Sequence, residues 1–238
     1  MKKQDLLYEG KAKKVYRVQG HPEYYIMEFK DDLTAFNGEK YARKAGKGEL
    51  NNKISAEVFQ FLARHSIANH FIDMLSSNEM LVLKTDIIPI EVVVRNIASG
   101  SLVKRLGLAP GDKLQSPVLE FYYKRDDLQD PMINRHHIRA LNLAKPEALD
   151  CLEEMAFSVN DILTPFFQSL GLSLVDFKLE FGRHQDGIIL ADEITPDTCR
   201  LWDLETGESL DKDVFRYEDG DVLSGYREVY RRITEGRH

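Results

Sequence analysis

The segment Leu174-Val175-Asp176-Phe177-Lys178-Leu179-Glu180-Phe181 alternates polar and apolar residues. On a strand, where side chains repeat every second residue, Asp176, Lys178 and Glu180 share one face. Val175, Phe177, Leu179 and Phe181 then point the other way, into a core. A returning strand over residues 188–194 supplies Asp192 and Glu193. If the loop is Gln185–Gly187, with Gly187 left-handed, Glu180 falls opposite Asp192. Facing carboxylates repel unless positive charge lies between them. A hard divalent cation such as Mg²⁺, held by one or two carboxylates plus substrate phosphates, would supply it. A solvated charged face, with Lys178 neutralising its neighbours, explains the pattern equally well.

Three further segments carry groups suited to anions. Gly10-Lys11-Ala12-Lys13-Lys14-Val15-Tyr16 runs from a glycine into a strand, so Lys11 and Lys13 share a face and can both reach phosphate. It is not the Walker pattern, and a solvated basic stretch accounts for it as well. Arg95-Asn96-Ile97-Ala98-Ser99-Gly100-Ser101 follows an apolar strand and offers free backbone N–H groups beside a guanidinium, an anion nest or a simple turn. In Thr195-Pro196-Asp197-Thr198-Cys199-Arg200-Leu201-Trp202-Asp203, a turn next to the carboxylates, the planar fork of Arg200 fits phosphate or carboxylate, or a surface ion pair. Glu91 stands inside the apolar strand and calls for a cationic partner, since an unpaired buried carboxylate is costly. His136 and His137 are adjacent and point apart, and Cys151 and Cys199 lack ligand spacing, so zinc is not expected.

These groups need a scaffold. Residues 14–18 and 24–29 read as strands about the turn Gly20-His21-Pro22, hence an antiparallel sheet. Residues 31–52, polar and bearing Gly38, Gly46 and Gly48 among lysines, read as a long mobile loop. Residues 52–64 have helical spacing, 80–83 and 87–94 read as strands, and 107–142 as irregular. Residues 145–170 form a long helix opened by Pro146 and stopped by Gly171, and a last helix covers 222–234. The reading is α+β, with an antiparallel β-rich N-terminal lobe over 1–85 and a larger α+β lobe over 86–238.

Composition bounds the function. The 238 residues are 43% hydrophobic and 30% charged, the balance of a globular chain. The net charge of −7 disfavours nucleic-acid or anionic-lipid partners as a bulk effect. No apolar run approaches the roughly 18 residues of a membrane span, and MKKQDLLYEGKAKK lacks the apolar core of a secretory signal. Two cysteines cannot build a disulfide framework, which fits a reducing cytoplasm.

Taken together, the segments 174–182 (Leu-Val-Asp-Phe-Lys-Leu-Glu-Phe-Gly) and 89–95 (Pro-Ile-Glu-Val-Val-Val-Arg), the latter ending in Gly100-Ser101, resemble the two signatures of the SAICAR synthetase family. Gly10-Lys11-Ala12-Lys13, Asn51-Asn52-Lys53 and the run from Asp192-Glu193 to Asp203 fit the same family, in the right order along nearly the whole chain. Ser99 departs from the expected alanine, glycine or threonine but keeps a small side chain. The resemblance implies ATP, L-aspartate and 5-amino-1-(5-phosphoribosyl)imidazole-4-carboxylate as substrates, with Mg²⁺, on a two-lobed fold akin to kinases and ATP-grasp proteins. It implies that Gly10, Lys11, Ala12, Lys13, Val15, Lys84, Ile87 and Lys124 bind the nucleotide, adenine lying against Val15 and residues 84–87. Arg95, Ser101, Asp197 and Arg200 would bind the ribotide, Glu180 and Asp192 the metal. Lys178 and Asp176 would be catalytic, with either Asp176 or solvent as the base that frees the amine, and Asp130 would belong to the same site. Loop 31–52 would close over the site, and a cytoplasmic homodimer is expected. A small-molecule kinase on the same scaffold and a non-catalytic nucleotide-binding regulator are the competing readings.

Overall fold

Alternating β-branched and aromatic residues in the first third produce a five-stranded antiparallel sheet. Its strands are β1 (Lys3–Glu9), β2 (Lys13–Val18), β3 (Tyr24–Phe29), β6 (Phe71–Met74) and β7 (Glu79–Leu83), in the order β1-β2-β3-β7-β6. The structure, a computed structural model, describes residues 1–35, 39–217 and 220–236. One face of this sheet buries Val18, Ile26 and Leu81. The other carries Met27, Phe29, Met80 and Val82 against Ala56 of helix α1 (Lys47–Arg64).

Residues 31–52 are not one long loop. They hold β4 (Asp32–Ala35), β5 (Lys40–Arg43) and the first turn and a half of α1, while residues 36–38 lie outside the described set. Leu33 and Ala35 bury against Phe215, Val222, Leu223 and Tyr226, so the pairing is stabilised by residues nearly two hundred positions away. Similarly, the stretch 107–142 contains β9 (Lys113–Tyr123), β10 (Met132–Ile133) and α3 (Arg135–Ala140). Asn134 caps α3 by accepting from the His136 and His137 amides, and the His137 ring accepts the Asn134 N–H, which gives that histidine a structural task.

The larger sheet adds β8 (Asp86–Ile97), β11 (Leu172–His184), β12 (Gly187–Ala191) and β13 (Cys199–Asp203), in the order β10-β9-β8-β11-β12 with β13 also on β11. In β8, Ile88, Ile90, Val92 and Val94 enter the main core, whereas Ile87, Glu91, Val93 and Arg95 face a cleft. The long helix α4 (Pro146–Ser169) covers the core face with Leu149, Leu152, Ala156, Val159, Leu163 and Phe167, spaced by three and four. The remaining helices are α2 (Gly100–Leu106), α5 (Asp213–Tyr217) and α6 (Val222–Glu235). No helix among the described residues is long and apolar enough to cross a membrane.

Two register details depart from the sequence reading. The β11–β12 loop has two residues, with His184 paired to Gly187 and Gln185 left-handed at φ 50°, so Glu180 pairs with Ala191 and not Asp192. A bulge between Leu174 and Asp176 reverses the alternation: Leu172 and Leu174 before it, and Phe177, Leu179 and Phe181 after it, all reach the main core. Val175 is the extra residue and, though fully buried, does not join that cluster.

Candidate active site between the two sheets

The cleft exists because the outer edge of β11 is shared by two strands. β13 serves it from Leu172 to Phe177 and β12 from Glu180 to His184. Between them the segment 192–198 leaves the sheet, tied at Lys178 by its N–H to the Thr198 carbonyl (2.9 Å). Asp192, with φ 64°, Glu193, Asp197 and Thr198 of this segment line a cavity of about 680 Å³. The small sheet closes its opposite side with Lys13, Val15, Tyr25, Met27 and Val82.

Strand β8 gives the cavity an axis. Ile87, Glu91 and Arg95 recur every fourth residue, so about 13 Å separates each from the next. They pair in β11 with Gly182, Glu180 and Asp176 respectively. The Ile87 end is apolar, joined by Val15, Met27, Val82 and Leu83. The middle is a lattice of carboxylates and ammonium groups. Lys178 bonds Glu91 (2.7 Å) and Glu180 (3.0 Å), Lys124 bonds Glu180 (2.7 Å), and Lys13 contacts both Asp192 and Glu193. Glu91 thus has the cationic partner its burial demanded. Burial works against charge on Lys178, but Glu180 and Glu91 outweigh it and hold the ammonium well above its ordinary range. Glu180 is the reciprocal case: burial opposes its ionisation, and Lys178, Lys124 and Lys13 keep it well below the usual carboxylate range. Asp192 is pushed up to about 7 by burial, and burial likewise drives Lys13 well down, so neither keeps its full charge easily in the free protein.

The Arg95 end gathers two guanidinium groups held by carboxylates. Arg95, only 5% exposed, bonds Glu120 (2.7 Å) and Asp176 (2.8 Å), and its Nη2 reaches Ser101 and Tyr122 at 3.3 Å. Arg200 bonds Asp176 (2.7 Å) and Asp213 (2.6 Å), so one Asp176 oxygen braces both guanidinium groups. Against the desolvation of burial, Asp176 and Asp213 hold Arg200 charged. Gly100, at φ 55°, lets the Arg200 guanidinium approach: a Cβ there would lie 2.7 Å from Nη2.

Of the residues singled out from the sequence, Gly10, Lys11, Ala12, Lys13, Val15, Ile87, Arg95, Lys124, Asp130, Asp176, Lys178, Glu180, Asp192, Asp197 and Arg200 line this one cavity. Ser101 stands behind it, bonded to Arg95 and Arg105. Lys84 does not line it: the side chain is exposed beside a separate recess of Glu23, Asp86 and Arg183, because neighbours on an extended chain point apart, and Leu83 and Thr85 face the cavity instead. Asp197 is committed to structure, paired with Lys47 (2.5 Å) and bonded to Asn51 and Tyr226 (2.7 Å each). Glu193, named with Asp192 in the sequence, lines the cavity too, and so do Lys212 and Arg216, which the sequence reading misses. A signal existed for α5, where Asp213 and Arg216 stand three apart as on a helix, but nothing local ties them to Arg200. Cys199 lines the cavity, but burial pushes its thiol up, which excludes a ready thiolate.

The donor chemistry suits Mg²⁺. Among the described residues no three His, Cys, Asp or Glu side chains form a self-sufficient metal cage. Glu180 and Asp192 instead provide hard oxygens at the cavity wall, the donor type that Mg²⁺ takes, each in contact with lysine in this structure.

The sequence model of the SAICAR synthetase family matches residues 6–233. Phosphoribosylaminoimidazole-succinocarboxamide synthases are similar over the full length: that of Caldanaerobacter subterraneus is 55% identical, covering 99% of this chain and 100% of the relative. That of Brevibacillus brevis is 54% identical with 100% of both chains covered. A solved SAICAR synthetase in complex with ADP superposes with TM-score 0.92 at 50% identity, over 96% of this chain and 97% of its own. The synthase from Ehrlichia chaffeensis gives TM-score 0.94 at 44% identity, over 97% and 98%.

Proposed function

The chain belongs to the SAICAR synthetase family, and on that premise we propose how its cleft performs an ATP-dependent ligation of purine biosynthesis. L-Aspartate is joined to the carboxylate of 5-amino-1-(5-phosphoribosyl)imidazole-4-carboxylate, giving the succinocarboxamide, ADP and phosphate. The observation that carries this reading is the order along β8 of apolar Ile87, charged Glu91 and anion-binding Arg95 in a single cavity. Adenine lies at the Ile87 end against Val15, the ATP phosphates lie among Lys13, Lys124, Lys178 and Glu180, and the ribotide phosphate is held by Arg95, Arg200 and Ser101. Glu180 and Asp192 hold Mg²⁺, whose charge offsets that of the phosphates.

A carboxylate does not condense with an amine at neutral pH, because its oxygen leaves poorly. One oxygen of the ribotide carboxylate attacks the γ-phosphorus of ATP, the bond to ADP breaks, and an acyl phosphate results. Lys178 and Lys13 face the region where negative charge accumulates, and positioned charge is what phosphoryl transfer requires. The free amine of L-aspartate, having given its proton to solvent, attacks the acyl carbon, and phosphate leaves as the amide forms. Asp176, braced between two guanidinium groups, is assigned to orienting Arg95 and Arg200 in place of the base role expected from the sequence.

We place the nucleotide lobe at 1–85 and the substrate and metal lobe at 86–238, a kinase-like or ATP-grasp-like division supported by the small sheet ending at Leu83 and the large one starting at Asp86. A cytoplasmic homodimer fits the reduced cysteines and the half-exposed Met132 and Leu141 on either side of α3. The test is coupled ADP release with ATP, Mg²⁺, the ribotide and L-aspartate, omitting one component at a time. Turnover lost with each omission, with succinocarboxamide formed in the full mixture, is the expected result. Release that persists without L-aspartate identifies a kinase or ATPase, and binding without release identifies a regulator.

A further inference from the structure

Where the two sheets join, β11 passes unusually close to the connector between β7 and β8. Gly182 is buried, and a Cβ built on it would lie 2.5 Å from Cβ and 2.8 Å from Oγ1 of Thr85. Side chains do not approach so closely, so the backbone of β11 can sit against Thr85 only while residue 182 lacks a side chain. The local register has its own cause. Pairing between β11 and β8 slips between Glu180–Glu91 and Gly182–Ile87, and Pro89, which has no N–H for the ladder, lies inside that interval. Gly182 therefore restores contact with β8 directly beneath the connector. Leu83, Thr85 and Ile87 all line the apolar end of the cavity.

We propose that Gly182 is a positioning residue for the nucleobase: by seating Thr85 against β11 it keeps the apolar end of the cavity wide enough for adenine. The inference rests on the nucleotide reading above. A methyl group at 182 has a rigid strand on one side and Thr85 on the other. Its effect is to move the connector into the cavity, leaving the Arg95 end untouched.

The experiment measures ADP affinity by calorimetry with Mg²⁺, together with KM for each substrate, in the native chain, Gly182→Ala and the double variant Gly182→Ala with Thr85→Gly. Overpacking of this kind is expected to weaken ADP binding and raise KM for ATP by about tenfold. KM for the ribotide and L-aspartate, and kcat at saturation, should stay within about twofold. Removing the Thr85 side chain should return ADP affinity to within about threefold of native, which a merely structural role for the glycine would not produce selectively. Unchanged ADP affinity in Gly182→Ala, or equal loss for all three substrates, overturns the proposal. If Gly182→Ala does not fold, the double variant decides. A folded double variant with near-native ADP affinity supports the contact, and one that is unfolded, or folded with ADP binding lost, refutes it. A native chain that binds no ADP removes the nucleotide reading itself, an outcome distinct from native binding that Gly182→Ala leaves unchanged.

Discussion

The charged side chains of the central lattice, Lys13, Glu91, Lys124, Lys178, Glu180, Asp192 and Glu193, each have a partner of opposite charge, and the tightest constraints fall on the smallest groups. Glu180 is kept ionised by three lysines, while burial pushes Asp192 up to about 7 beside its contact with Lys13. Glu180→Gln and Asp192→Asn preserve shape and remove one charged oxygen ligand each. Each should lower Mg²⁺-dependent turnover on the order of 100-fold with the melting temperature near native. Near-normal turnover in both would remove the metal assignment. At the other end of the cavity, Gly100→Ala sets a Cβ against the Arg200 guanidinium in a left-handed backbone. Steady-state kinetics should then show KM for the ribotide raised by about tenfold and KM for ATP unchanged, since about 1.4 kcal/mol of misplacement suffices. An equal rise in both constants would mean that Arg200 serves the whole cavity and not the ribotide.

At the level of elements, one buried carboxylate just before α5 ties the start of that helix to β13 beside Arg200. Asp211, with no exposed surface, accepts the N–H of Leu201 (2.9 Å) beside Arg200 and the N–H of Asp213 (2.8 Å), the partner of Arg200. Burial, with a smaller contribution from Asp213, pushes the Asp211 carboxyl up to about 7, against about 3.9 in an unfolded chain. The folded chain therefore holds this proton more tightly, and the contribution of Asp211 to stability falls as pH rises from about 4 through about 7. Asp211→Asn, which resembles the protonated acid, should lack that fall when melting temperature is followed across the window; a variant curve parallel to native would refute the assignment. None of this was legible locally. Strand 172–181 and the helix over 145–170 could be read from their periodicity, and strand 87–94 from its nearly unbroken apolar run, although that run suits burial on both faces and β8 turns only one into the core. The bulge at Val175, the two-residue turn at Gln185 and the β4–β5 pair could not, because each is decided by residues distant in sequence. Leu33 reads as loop until Tyr226 and Phe215 are beside it, and the roles of the site residues were legible mainly through the resemblance of their segments to the family signatures, since periodicity alone left each charged stretch open to a solvated face.

At the scale of the molecule, the net charge of −7 hides a cavity lined, among the described residues, by eight cationic and eight acidic side chains, so substrate anions meet a local balance that the total does not predict. The division near residue 85 separates two sheets without separating two folding units. Helix α1 lies in the first segment, yet Ile54, Val58, Phe59 and Leu62 belong to the main core built on β8, β11 and α4. The Ser55 hydroxyl accepts the N–H of Ile194, and the His70 N–H reaches the Leu190 carbonyl, so the first segment is stitched both to β12 and to the segment 192–198 that carries Asp192. Losing either segment exposes the core of the other, which argues for a single cooperative transition. Scanning calorimetry should give a calorimetric enthalpy equal to the van't Hoff value. With the nucleotide placed against both sheets as proposed, Mg²⁺ with ADP should raise that one transition as a whole, by about 2.7 kcal/mol at a hundredfold excess over Kd. Two resolved transitions, with ADP shifting only one, would mean that α1 does not couple the lobes and that the cavity opens by their independent unfolding.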